Sequence, residues 1–117
     1  MIIGIQGSRN FNNYRIFLRA MGAALSTLPE DDNSITIYSA GPSSINAMGL
    51  EFANITERSL KARGMKIKLH KVSPSWLEDN LYSVDYFAYF SLPKEPTSSL
   101  YESARAKDIE AYIFQFD

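Results

Sequence analysis

The feature that most constrains this chain is a regular exchange between two hydrophobic periods. Short β-branched or aromatic runs alternate with longer stretches whose apolar residues recur every three to four positions. Ile2 to Gln6 is the first short run, and Gly7 closes it. From Tyr14 onward Phe17, Leu18, Met21, Ala24, Leu25 and Leu28 recur at helical spacing, with candidate caps at Asn10 to Asn13. Pro29 to Asn33 ends that helix in a polar turn. Ile35 to Tyr38 reads as a second strand. Ser43 or Ser44 then caps a long helix carrying Ile45, Met48, Phe52, Ile55 and Leu60 on one face, and Gly64 stops it. Between Lys66 and Lys71, Ile67 and Leu69 alternate with charge, the pattern of a guarded edge strand. Residues 72 to 82 show no period and include Pro74 and Trp76. Val84 to Phe90 reads as an aromatic central strand buried on both faces. Thr97 or Ser98 caps a helix to about Lys107, and Glu110 to Phe116 closes the chain as a last strand.

Strands that alternate with helices predict a mainly parallel sheet with helices on both faces. Right-handed crossovers restrict the topology to a few choices, of which five strands in the order 3-2-1-4-5 is the preferred one. In that order the chain changes its direction of travel between strands 1 and 4, so a ligand crevice is expected at their carboxyl ends. At 117 residues, 45% of them hydrophobic, the chain has the size and apolar content of one domain spanning 1–117.

Composition removes several classes of chemistry. There is no cysteine, so disulfides, thiolate catalysis and zinc ribbons are out. His70 is the sole histidine, and no carboxylate pair stands at ligand spacing around it, so no metal site is expected. The formal charge is −1, with 12 basic and 13 acidic residues, which argues against nucleic acid as the partner of the chain as a whole. One local run of cations remains, from Arg58 through Lys71. No apolar run approaches the roughly 20 residues needed to span a bilayer, so a cytoplasmic protein without membrane contact is expected.

Chemistry is expected where three connectors leave strands 1, 2 and 4. They are Gly7-Ser8-Arg9-Asn10, Gly41-Pro42-Ser43-Ser44 and Pro96-Thr97-Ser98-Ser99. Small residues let a phosphate approach backbone N–H groups at a helix start, and hydroxyls add donors. Arg9 adds a permanently charged planar fork. The expected ligand contacts are Gly7, Ser8, Arg9, Asn10, Gly41, Ser43, Ser44, Thr97 and Ser98, with no cofactor. Glu51 and Glu57 read first as a wet helix face, His70 as a solvated residue near an edge-strand end, and Trp76 as either a base-stacking ring or a cover for the core.

Gly7-Ser8-Arg9-Asn10-Phe11, set between an apolar strand and a helix, resembles the GSR-x-F opening of small SLOG-superfamily domains. These are Rossmann-like domains that include Smf/DprA-type DNA-processing proteins and LOG phosphoribohydrolases. The resemblance covers most of the chain in pattern and implies a three-layer sandwich that binds nucleotides. Where such domains often carry GGARGAD after the second strand, this chain has Ser39-Ala40-Gly41-Pro42-Ser43-Ser44-Ile45-Asn46. Where a Gly-Thr pair opens the helix after strand 4, it has Pro96-Thr97. The LOG signature PGG-x-GT-x-x-E places a glutamate three residues after the threonine; here that position is Leu100, with Glu102 on a different helical face. The resemblance therefore implies the fold and anion-binding loops rather than the hydrolytic apparatus.

The expected function is binding of a nucleotide or nucleotide-derived small molecule, for sensing or sequestration. The alternatives are hydrolysis of a nucleoside monophosphate N-glycosidic bond by Glu51 or Glu102, and a ligand-free protein-interaction domain. A homodimer is expected from the wide apolar stripe Ile45, Met48, Leu50, Phe52 and Ile55.

Overall fold

The structure, a computed structural model, describes residues 1–115. In chain order its elements are β1 (Ile2–Gly7), α1 (Tyr14–Leu25), β2 (Ser34–Ser39), α2 (Ser43–Lys61) and β3 (Lys66–Lys71). Then come α3 (Pro74–Asp79), a 3-10 turn (Leu81–Ser83), β4 (Tyr86–Ser91), α4 (Ser99–Ala106) and β5 (Glu110–Gln115). The five strands form one sheet in the order β3-β2-β1-β4-β5, and every pairing is parallel. This is the expected Rossmann-like sandwich.

The handedness of the crossovers decides which face each helix covers. Two steps the same way, from β1 to β2 and on to β3, put α1 and α2 on one face. There Phe17, Met21, Ile45 and Phe52 pack on Ile3, Ile5, Ile37 and Phe90. The return to β4 and the step to β5 put α3 and α4 on the other face, with Leu77, Leu81, Leu100 and Ala104 against Phe87 and Tyr89. All six residues of β4 are buried, because both of its faces are covered.

Several boundaries differ from expectation for local reasons. Residues 72–82 are not an irregular loop. Ser73 caps α3 by accepting from the Trp76 N–H at 3.1 Å, Pro74 takes the first turn, and Leu77 and Leu81 are buried. A helix of six residues is too short to display a period. Asn13 caps α1, accepting from the Ile16 N–H at 3.0 Å. That helix ends at Leu25 rather than Leu28, where Ser26 and Thr27 hydroxyls bond back to the Ala23 and Ala24 carbonyls at 2.6 and 2.7 Å. Pro42, not a serine, is the N-cap of α2, so Ser43 and Ser44 are its first helical residues. Phe116, expected in the last strand, lies outside the described residues.

The two helical layers are unequal. α1 and α2 have 12 and 19 residues, whereas α3 and α4 have 6 and 8. The thin layer leaves Lys66, Lys68 and His70 of β3 exposed and Thr36 and Tyr38 of β2 half-buried. No helix among the described residues is long and apolar enough to cross a membrane.

Candidate functional site

The connectors after β1, β2 and β4 meet at the carboxyl edge of the sheet, and hydrogen bonds tie them together. The Gly7 N–H donates to the Gly41 carbonyl at 3.2 Å, and the Ser8 N–H to the Phe90 carbonyl at 2.8 Å. Gly7 has no room for a side chain. A Cβ there would stand 2.6 Å from the Phe90 carbonyl oxygen and 2.9 Å from Ile45 Cδ1. This close approach is what lets the first loop touch both others.

The third loop is held by a residue not singled out in the sequence. The Glu95 carboxylate accepts from the Leu92 N–H at 2.6 Å, from Ser8 Oγ at 2.7 Å and from Asn10 Nδ2 at 3.3 Å. The Leu92 N–H and then the Ser8 hydroxyl hold its pKa below the usual carboxylate range. Lys94, at φ +71°, sits in the left-handed region and turns the chain so that Glu95 folds back. Ser8 and Asn10, two of the expected phosphate donors, therefore already hold an anion supplied by the chain itself. The signal was a lone carboxylate between Pro93 and Pro96 just after a buried strand.

The other expected residues divide into engaged and free. Ser98 caps α4, accepting from the Tyr101 N–H at 3.1 Å, and its hydroxyl donates to Gln6 Oε1 at the buried end of β1. Thr97, which lies just before α4, donates to Glu102 in the first turn of that helix. Arg9 is exposed and forms no ion pair among the described residues. Gly41 takes φ +83°, a conformation that favours glycine, with open space where a Cβ would stand. The first turn of α2 that follows has no acidic residue and no side-chain cap. Within it the Ser44 hydroxyl is buried without a hydrogen-bond partner among the described residues.

That helix start is the most anion-receptive element of the three. The opening N–H groups of a helix lack intrahelical partners and carry partial positive charge. The start of α1 is different, because Asn13 caps it and residues 8–13 separate it from β1. The two carboxylates considered for catalysis lie on opposite layers, Glu51 on α2 and Glu102 on α4, and both are exposed. Glu51 acts on Tyr14, whose phenol is pushed up by burial first and by this carboxylate second. Among the described residues no three His, Asp or Glu side chains gather as metal ligands.

Two hollows lie elsewhere on the molecule. A groove of about 430 Å³ runs beside β3 past Glu57, Lys61, Lys66 and Lys68. A cleft of about 380 Å³ opens at β5 among Ala23, Tyr86, Tyr112 and Phe114. The crevice is marked by its chemistry, the acid-free start of α2 beside the Ser44 hydroxyl. No family model matches this chain, and neither does any curated protein or solved structure.

Proposed function

We propose that the crevice between the β1, β2 and β4 connectors binds a nucleotide or nucleotide-derived small molecule, which the protein senses or sequesters. The observation that carries this reading is the start of α2, where an acid-free, uncapped first turn stands beside the unpartnered Ser44 hydroxyl. The ligand's phosphate sits over Gly41, Ser43 and Ser44, with Arg9 reaching it from the rim. Gly7, Ser8 and Asn10 form the opposite wall through Glu95, and Thr97 and Ser98 close the third side. Membership of the SLOG superfamily would account for this arrangement and stays part of the proposal.

Calorimetric titration with a panel of nucleoside monophosphates tests it. At least one should bind, and the matching nucleoside should bind poorly. Arg9→Ala should weaken the phosphate-bearing ligand by roughly 1.5–3 kcal/mol, the range for a hydrogen bond to a charged group. Its stability should be unchanged, since Arg9 is exposed and unpaired among the described residues. A panel with no binder would overturn the reading, and equal affinity of wild type and variant would remove Arg9 from it.

A homodimer is part of the same proposal, but on a different surface from the one expected. Of the α2 stripe, Ile45, Met48 and Phe52 are buried in the core, while Leu50 and Ile55 remain 43% and 62% exposed. β5 fits better. It is an edge strand with Tyr112 and Ile113 exposed beside an apolar cleft. Antiparallel pairing of two such strands about a two-fold axis near Tyr112 would place Glu110 opposite Phe114 or Gln115 rather than its own copy.

A further inference from the structure

We propose that the open sheet face over β2 and β3, on the side away from α2, binds single-stranded RNA. The face is built from two strands in register, with Ser34 opposite Lys66, Thr36 opposite Lys68 and Tyr38 opposite His70. Ile67 and Leu69 pack into the core beneath α2, so Lys66, Lys68 and His70, which alternate with them, project to the other side. There α3 and α4 pack on Phe87, Tyr89 and Ala111, and Lys66, Lys68 and His70 are left exposed.

Three kinds of side chain therefore lie side by side. Along β3 runs a row of cations at alternate positions, about 6.6 Å apart by strand geometry. That interval is comparable to the spacing of phosphates along an extended single strand. Neither lysine is paired with a carboxylate among the described residues. Next to them Ser34, Thr36 and Tyr38 form a row of hydroxyls. At its end the rings gather: Tyr38 lies 5.0 Å from Trp76 and 5.8 Å from His70, centroid to centroid. Trp76 is 41% exposed although its ring packs on Tyr38, so it offers surface for a base.

Edge lysines alone are explained as guards against strand pairing. That explanation leaves the exposed ring of Trp76, seated on Tyr38, unaccounted for. Cations that track a backbone beside rings that accept stacked bases are the components of a single-strand platform. A duplex keeps its bases stacked inside, beyond reach of these rings. The hydroxyl row selects RNA, because only RNA brings 2′-hydroxyls to exchange hydrogen bonds with it. Although the chain as a whole is slightly acidic, Lys66 and Lys68 put two exposed positive charges on this face.

Trp76 is the sole tryptophan, so intrinsic fluorescence reports on the site directly. A ten-nucleotide oligouridylate should quench it saturably at low salt. Affinity should fall with a log–log salt slope of about −1.4, for two lysine–phosphate contacts at about −0.7 each. Anisotropy of the labelled oligonucleotide should show Lys66→Glu/Lys68→Glu and Trp76→Leu each losing tenfold or more, with unchanged circular dichroism. Oligothymidylate should bind several-fold more weakly, and an RNA duplex or a polyglutamate peptide not measurably. Absence of oligouridylate binding overturns the proposal, as does equal binding of duplex, peptide or oligothymidylate. Arg9→Ala should leave RNA binding unchanged, which separates this face from the crevice.

Discussion

β3 and β5 are both six-residue parallel strands at the edges of one sheet, yet they meet solvent differently. β3 places Lys66, Lys68, His70 and Lys71 along its length, and only Ile67 and Leu69 turn inward. Glu110 is the only ionised side chain on β5, which exposes Tyr112 and Ile113. The support beneath them differs as well. α2 rides so close over β3 that a Cβ on Gly49 would meet Leu69 Cδ1 at 2.8 Å. β5 has α4 on one side and an open cleft beside α1 on the other. Arg105 covers part of this edge, its guanidinium donating to the Ala111 carbonyl at 3.3 Å. An edge firmly backed and charged is suited to solvent or a polyanion. An edge weakly backed and apolar fits the homodimer proposed above.

The largest expected effect tests the backing. Leu69→Ala should destabilise the protein by about 2 kcal/mol, the lower end for an aliphatic truncation in a core. Ile113→Ala, measured by urea unfolding of dilute protein, should cost less than about 1 kcal/mol because much of that side chain is already in water. Equal costs would show that the two edges are supported alike. Next comes the association itself. Tyr112→Lys puts a charge where two copies of β5 would meet, and should weaken the dimer at least tenfold, about 1.4 kcal/mol. Sedimentation equilibrium checks this. A wild type that stays monomeric at tens of micromolar removes the dimer, and an unchanged dimer in the variant removes β5 as its seat.

The edges and the centre were legible in the sequence to different degrees. Lys66 to Lys71 announces an edge because charge alternates with Ile67 and Leu69 at period two. The unbroken apolar and largely aromatic run from Tyr86 to Phe90 announces a centre, since β4 is buried on both faces. Crossover handedness narrowed the strand order to a few choices, of which 3-2-1-4-5 was preferred and is the one found. β5 was legible as a strand but not as an apolar edge, because exposure depends on where short helices end. In the site, the convergence of three loops was readable from topology. The tether between Glu95 and Ser8 was not, because it joins residues 87 apart and has no local period. Nor was the Pro42 cap, where the serines expected to cap proved to be inside the helix.

The smallest expected effect falls between the edges, and separates the centre from both. Glu95 links the β1 and β4 loops through its ionised form, and its pKa is depressed in the folded state. A carboxyl depressed on folding adds stability above its unfolded value, about 4.3 for glutamate. That contribution disappears as pH falls through the lower folded value, because the unfolded chain takes up the proton first. Wild type should therefore lose more stability than Glu95→Gln between about pH 5 and pH 3. The difference should be small, since the pair is open to solvent and screened. Above pH 6 the two proteins should differ by a constant offset, which thermal melts across the range can read. The acid-limb difference should persist in Ile113→Ala and Leu69→Ala backgrounds, because neither edge touches this tether. Parallel acid limbs for wild type and Glu95→Gln would mean that the carboxylate does not hold the loops together. Ser8 and Asn10 would then be free to face a ligand's phosphate directly, and the first loop would replace the start of α2 as the leading anion site.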